Sequence, residues 1–243
     1  MNLENLSEVK EKLISFEKKI AKAFKEEKVS GPVHFSRGNE EQVIKIFRGL
    51  RSGDYIFKSS LNNYFYSREE LINKKLIVVD DKAPASFFDG IKKNDWICTS
   101  YRNHYHALLK GIPEKWLEEQ ITDGNSMHIF NKDYKFFTSA IVAGQVPIAL
   151  GISKALKLKN SKDRVWVFCG DMGAESGVFY ESTKYAYNHK LPINFIIEDN
   201  GLGVNTPTEA VWGGSNALIL PNVIRYPYLS EVPHQGVGKE VGF

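Results

Sequence analysis

Apolar and polar positions alternate along the chain with two different periods. Near the amino end Leu6, Val9, Leu13, Phe16, Ile20 and Phe24 recur every three or four residues, with Lys and Glu between them. That spacing predicts an amphipathic helix over residues 3–28, stopped by Val29-Ser30-Gly31-Pro32. Residues 39–50 repeat the pattern on a shorter scale, with Val43, Ile44, Ile46 and Phe47 inward and Asn39 as the N-cap. Short continuous apolar runs read differently. Residues 165–169 and 193–197, each bounded by turn residues, are predicted to be buried strands, and residues 76–81 and 224–228 are strand-like. Between the first two runs, Val178, Ser182, Tyr185 and Ala186 keep helical spacing as far as Asn188. Strand, helix, strand implies a right-handed parallel crossover. Residues 138–159 read as a turn feeding a helix rich in small residues.

Bulk properties narrow the class. The chain has 243 residues, enough for one large domain, and its apolar (42%) and charged (25%) contents are those of an ordinary globular protein. A formal charge of +3 without a separate basic block gives no case for nucleic acid. Cys98 and Cys169 both lie in apolar runs, as buried free thiols in a reducing compartment do. There is no secretory h-region and no apolar run of membrane length, so a cytoplasmic chain is expected.

The chemistry gathers at the ends of the predicted strands. Gly170-Asp171 closes one strand and Glu198-Asp199-Asn200-Gly201 closes the next. The carboxyl ends of parallel strands are where open α/β sheets bind ligands. A carboxylate and an amide oxygen converging there suit a hard cation such as Mg²⁺ carrying a phosphorylated ligand. In TSYRNHYH (99–106), Arg102 beside the phenol of Tyr101 offers a charge-assisted clamp for a diphosphate. His104 and His106 lie two apart, but no third ligand sits at zinc-binding spacing.

The wording GDMGAESG…LPINFIIEDNGLGVNTPT resembles thiamine diphosphate enzymes, most of all the alpha subunit of the 2-oxo acid dehydrogenase decarboxylase component. That resemblance implies a three-layer α/β fold, a mostly parallel sheet with helices on both faces, and one domain over residues 1–243 that binds the diphosphate half of the cofactor. It implies thiamine diphosphate and Mg²⁺ as cofactors, with Asp171, Asn200 and the carbonyl of Leu202 on the metal. Tyr101 and Arg102 would take the phosphates, beside Met172, Gly173 and Gly203. The backbone around Ala140 and Val142 would receive the aminopyrimidine, with Val142 as the wedge that bends the cofactor; Val142 precedes Asp171 by the same separation at which Asn200 follows it. His34, in a Gly-x-x-His segment, and His104 and His128 would be the catalytic imidazoles, with His106 a packing residue. For His128 the alternative is simply to hold its loop.

The same resemblance implies a partner. No part of the chain resembles the beta subunit, which in this family carries the Glu that acts on the cofactor ring. The expected assembly is α2β2, acting on a 2-oxo acid, with a lipoyl-domain protein as the usual acceptor. A transketolase-like or carboligase half-enzyme and a non-catalytic cofactor-binding paralogue are the alternatives. Three departures stand out: Met172 where the commonest motif has Gly, a short segment after Pro207, and an extra stretch at residues 54–94. DYIFKSSLNNYF (54–65) is similar to DWICTSYRNHYH (95–106), through partial duplication or chance, and the stretch could form a lid, a subunit contact or a flap. His234 stands either in for a family active-site loop or in a solvent-exposed tail.

Overall fold

The computed structural model describes residues 3–58, 66–213 and 220–232; His234 and residues 59–65 lie outside them. The amphipathic pattern near the amino end forms helix α1, Leu6–Lys25, where the side chain of Asn5 accepts the Glu8 N–H. The second helix, α2, runs Glu40–Arg48. Asn39 occupies its N-cap position but makes no capping bond; its amide instead donates to Glu198 and to the Tyr226 hydroxyl, each at 3.2 Å.

The next elements follow in chain order. Strand β1 is Tyr55–Phe57, α3 is Arg68–Asn73, β2 is Ile77–Val79, α4 is Ser86–Asp89, β3 is Trp96–Thr99, α5 is His104–Leu109 and α6 is Glu114–Thr122. The chain continues through β4 (Phe130–Asn131), β5 (Phe136–Thr138), α7 (Gln145–Leu158), β6 (Val165–Gly170), α8 (Asp171–Ala174), α9 (Gly177–Asn188) and β7 (Ile193–Asp199). A small ladder, β8 (Leu202–Gly203) with β9 (Thr206–Pro207), precedes α10 (Thr208–Trp212) and β10 (Val223–Pro227).

One eight-stranded sheet runs β1-β2-β10-β7-β6-β3-β5-β4. Five neighbours, β10, β7, β6, β3 and β5, are mutually parallel. Strand β4 is antiparallel at one edge. At the other edge β2 pairs antiparallel with β10 and parallel with β1, so the strands of residues 54–94 join the sheet running against its centre. The architecture is therefore a mostly parallel α/β sheet with helices on both faces, as expected.

Alternation along β6 shows how the layers are held. Val165, Val167 and Cys169 pack with Val146 and Ala149 of α7 and with Phe179 and Ala186 of α9. Trp166 and Phe168 face the other way, into a cluster with Leu13, Phe16, Ile44, Phe47 and Leu108. A strand covered on both faces has to be apolar at nearly every position, which is why the 165–169 run shows no period of two.

Asp95 fixes the start of two central strands. It is buried, and its carboxylate accepts the Lys92 N–H, the Arg164 N–H and the Trp166 indole N–H, each at 2.9 Å. Asp95→Ala leaves one buried and two part-buried donors without an acceptor. It is expected to destabilise the chain by about 3 kcal/mol or more in urea unfolding, whereas exposed Asp133→Ala changes stability by less than about 0.5 kcal/mol.

Candidate active site

The carboxyl ends of the five parallel strands open on one side of the sheet, and a cavity of about 290 Å³ lies there. Each strand end contributes: Ser100, Tyr101 and Arg102 after β3; Val142 and Ala143 after β5; Asp171, Met172 and Gly173 after β6; Asn200, Leu202 and Gly203 after β7; and Tyr228 after β10. The predicted residues Tyr101, Arg102, Val142, Asp171, Met172, Gly173, Asn200, Leu202 and Gly203 thus converge on one concavity.

Asp171 is its buried centre, 1% exposed. One carboxylate oxygen accepts the Thr208 hydroxyl at 2.5 Å, and the other, Oδ1, has no partner. Burial, then the charge of Asp199, pushes this carboxyl up to about 6, with the Thr208 bond opposing. A buried carboxylate oxygen left open beside amide and carbonyl oxygens is the donor set a hard divalent cation takes. Asn200 is half-buried at the cavity edge, and its Oδ1 accepts the Leu202 N–H at 3.0 Å, which turns the chain between the two.

Asp199, the neighbour of Asn200, is treated oppositely. Arg68 Nη1 lies 2.6 Å from its Oδ2, and Arg225 Nε donates to the same oxygen at 2.8 Å. Burial would raise this carboxyl, but the Arg68 hydrogen bond and the charges of Arg225 and Arg68 outweigh it and hold it below its ordinary value.

Arg102 donates to the Phe35 carbonyl at 2.7 Å, which ties the His34 segment to the cavity wall. Val142 is exposed at the mouth, beside Ala143 at φ +57°, a left-handed turn rare for a residue with a side chain. Met172 turns its side chain onto the next loop. Its Sδ accepts the Trp212 indole N–H at 3.2 Å, and a Cβ on Gly203 would come within 2.5 Å of its terminal methyl. With methionine at 172 in this position, the close approach favours glycine at 203.

Four predicted residues are not among those that line the cavity. His34 is buried with its ring 4.6 Å from that of Tyr101, one layer behind the wall. His104 begins α5, which turns away from the strand end into the core. It is fully buried, 3.0 Å from Ser126 Oγ and 3.5 Å from Glu17 Oε1. His128 is exposed, and Ala140 is half-buried. His106 is fully buried and 3.2 Å from Glu198 Oε1. No cluster of three His, Cys, Asp or Glu side chains suited to a metal occurs among the described residues, so the pair His104 and His106 stands without a third ligand.

The reading of the sequence missed Glu198, Thr208, Tyr228 and Arg68. Glu198 lines the cavity; Asn39 and Tyr226 donate to it from behind, and His106 Nε2 lies 3.2 Å away. Its place one residue before Asp199, at the end of an apolar run, was the available signal. Arg68 and Thr208 carry no local pattern; they reach the site only through the fold. Cys169 also lines the cavity, but burial, then the charges of Glu198 and Asp171, pushes its thiol up to about 12, so it is no thiolate nucleophile.

Residues 83–217 match the family described as Dehydrogenase E1 component. The pyruvate dehydrogenase E1 component subunit alpha of Zymomonas mobilis is 36% identical over 125 residues, 47% of this chain and 35% of that protein. That of Rickettsia bellii is 32% identical over 141 residues, 54% of this chain and 43% of that protein. The chloroplastic alpha-3 subunit of Arabidopsis thaliana is 30% identical over 159 residues, covering 56% and 37%. The matches thus span 35–43% of the length of these relatives. Among solved structures, a thiamin diphosphate-dependent enzyme from Mycobacterium smegmatis aligns with 21% identity and a TM-score of 0.35 over 48% of this chain and 20% of its own. The matched segment runs from before β3 to beyond α10 and includes every strand-end loop that forms the cavity except that of β10; the chain belongs to the Dehydrogenase E1 component family.

Proposed function

We propose that this chain is the diphosphate-binding, alpha-type half of a thiamine diphosphate- and Mg²⁺-dependent enzyme that decarboxylates a 2-oxo acid and passes on the acyl unit, with a lipoyl-domain protein as the acceptor. The observation that carries this reading is the open oxygen of buried Asp171, set between the Arg102 and Asn200 strand ends. Asp171, Asn200 and the Leu202 carbonyl would hold the metal. Tyr101 and Arg102 would hold the phosphates, and Val142 would press on the bend of the cofactor. When bound, thiamine diphosphate supplies the nucleophilic carbon and the electron sink that decarboxylation needs. The chain itself binds, orients and excludes water. Glu198, held by Tyr226 and Asn39, keeps a carboxyl group at the cavity wall.

A partner of the beta type fits the rim. Ile141, Val142, Leu202, Val204, Val211 and Trp212 are exposed apolar side chains on the strand-end loops and on α10. Such a concentration marks an interaction surface. In our reading it is covered in an α2β2 assembly, and the whole chain acts as one domain. Buried free Cys98 and Cys169 suit a reducing compartment such as the cytoplasm. No described helix is long and apolar enough to cross a membrane.

Titration calorimetry of the chain with thiamine diphosphate and Mg²⁺ tests the site. Asp171→Ala is expected to weaken binding by about tenfold or more, since even outer-shell groups contribute that much to metal affinity. Equal binding by the variant overturns the metal assignment, and rapid 2-oxo acid turnover by the isolated chain overturns the need for a partner.

The raised carboxyl of Asp171 has a second consequence. A carboxyl whose value is higher folded than unfolded contributes stability that is present at low pH and lost as pH rises through the folded value. Without metal, this group therefore costs stability as pH climbs from its ordinary 3.8 through about 6. A bound cation reverses the cost by favouring the ionised form. Thermal melts are expected to show stabilisation by Mg²⁺ with thiamine diphosphate well above pH 6, fading below it. In Asp171→Asn both the metal effect and this share of the pH dependence disappear.

A further inference from the structure

One side chain of residues 54–94 reaches the site, that of Arg68. Arg68 is the first residue of α3, whose start is locked by a capping box: Ser67 Oγ accepts the Glu70 N–H at 3.2 Å and Glu70 accepts the Ser67 N–H at 2.8 Å. The box fixes the direction in which the arginine leaves the helix.

The guanidinium grips Asp199 twice. Nη1 meets the carboxylate at 2.6 Å and Nη2 donates to the backbone carbonyl at 3.0 Å. The other carboxylate oxygen of Asp199 accepts the Gly201 N–H at 3.0 Å. Gly201 has φ +75°, and a Cβ there would lie 3.2 Å from Arg68 Nη2, so the guanidinium is packed directly on the turn. Asn200 lies between the two anchored residues, and its own Oδ1 holds the Leu202 N–H. The chain from Asp199 to Leu202 is thus one hydrogen-bonded unit with Arg68 at its base.

An exposed ion pair contributes little, because solvent screens it and two long side chains must be ordered. Here the carboxylate is 3% exposed and the contact is two-pronged, with one prong on the backbone. A planar fork on a buried acceptor fixes orientation as well as charge. Arg225 Nε shares the carboxylate, and Arg68 Nη2 adds the second prong on the Asp199 carbonyl.

We propose that Arg68 is a positioning residue for the metal site: from α3, packed beside β10, it acts through Asp199 and Gly201 to set the loop that offers Asn200 and the Leu202 carbonyl to the cation. This rests on the function proposed above. Arg68 itself touches neither metal nor cofactor.

Two measurements on the full-length chain separate this inference from that function. Hydrogen exchange reads the loop without any ligand: Arg68→Gln is expected to speed exchange at Gly201 and Leu202 by about tenfold, with Arg68→Lys closer to wild type and the amides of β6 unchanged. Mn²⁺ binding in the presence of thiamine diphosphate, read by electron paramagnetic resonance, is expected to weaken by about tenfold in Arg68→Gln and to recover in part in Arg68→Lys. Unchanged exchange at Gly201 and Leu202 overturns the inference whatever the metal does. So does a loosened loop that binds Mn²⁺ with wild-type affinity. Absence of Mn²⁺ binding in the wild type overturns the proposed function and this inference with it, while the exchange data still report the contact. If the Gln variant does not fold, Arg68→Met, which keeps the alkyl chain and removes both prongs, takes its place with the same expected and overturning results.

Discussion

Two carboxylates at the ends of adjacent strands set the terms for everything around them. The register of β6 and β7 pairs Gly170 with Glu198, so Asp171 and Asp199 are the next neighbours, both buried. Like charges in a low-dielectric setting disfavour each other's ionisation. The fold resolves the conflict asymmetrically. Asp199 receives two arginines from different elements and stays charged as a structural anchor. Asp171 receives one hydroxyl and keeps an open oxygen, so its charge is costly. The asymmetry supports the roles proposed above, in which one carboxylate holds the loop and the other is left for a ligand.

That arrangement depends on strands that do not slip. A shift of one residue between β6 and β7 would separate the two carboxylates and send every side chain to the opposite face. The register is held by the core on both sides and by polar pins that a slipped strand could not satisfy. Asp95 collects the Arg164 and Trp166 N–H groups at the start of β6. Asn194, buried in β7, pairs with Ser86 on α4 at 3.0 Å. At the other end Glu198 is tied to Asn39 and Tyr226, so α2, β7 and β10 meet beneath the cavity.

How far the sequence foretold this divides along physical lines. The strands at 165–169 and 193–197 were legible because a strand buried on both faces has to be a continuous apolar run, and their ends named Asp171 and Asn200 at once. Helix α1 was legible because one stripe of it is buried. Asn39 was read correctly as a position and wrongly as a bond: its amide serves a distant carboxylate instead of the helix end, a tertiary preference that local pattern does not contain. For His104, the motif marks where a helix begins and gives no information on which way that helix turns. Thr208 and Arg68 contribute through contacts distant in sequence, to Asp171 and Asp199 respectively, and no periodicity reports such contacts.

The similarity between residues 54–65 and 95–106 acquires a geometric counterpart in the structure. Asp54 and Asp95 each precede a strand, and each accepts the N–H of the residue three positions earlier at 2.9 Å, Arg51 in one case and Lys92 in the other. The two turns make the same local structure, but the strands they launch run in opposite directions in the sheet, β1 at its edge and β3 at its centre. That difference decides what each strand can deliver. Strand β3 brings Tyr101 and Arg102 to the side where the parallel strands end. Strand β1 points its carboxyl end the other way. The contribution of residues 66–94 to that side comes from α3, whose first residue lies against Asp199 and whose body packs beside β10. Two segments of similar sequence thus meet the site differently, one through the loop after its strand and the other through an arginine that supports a neighbouring loop.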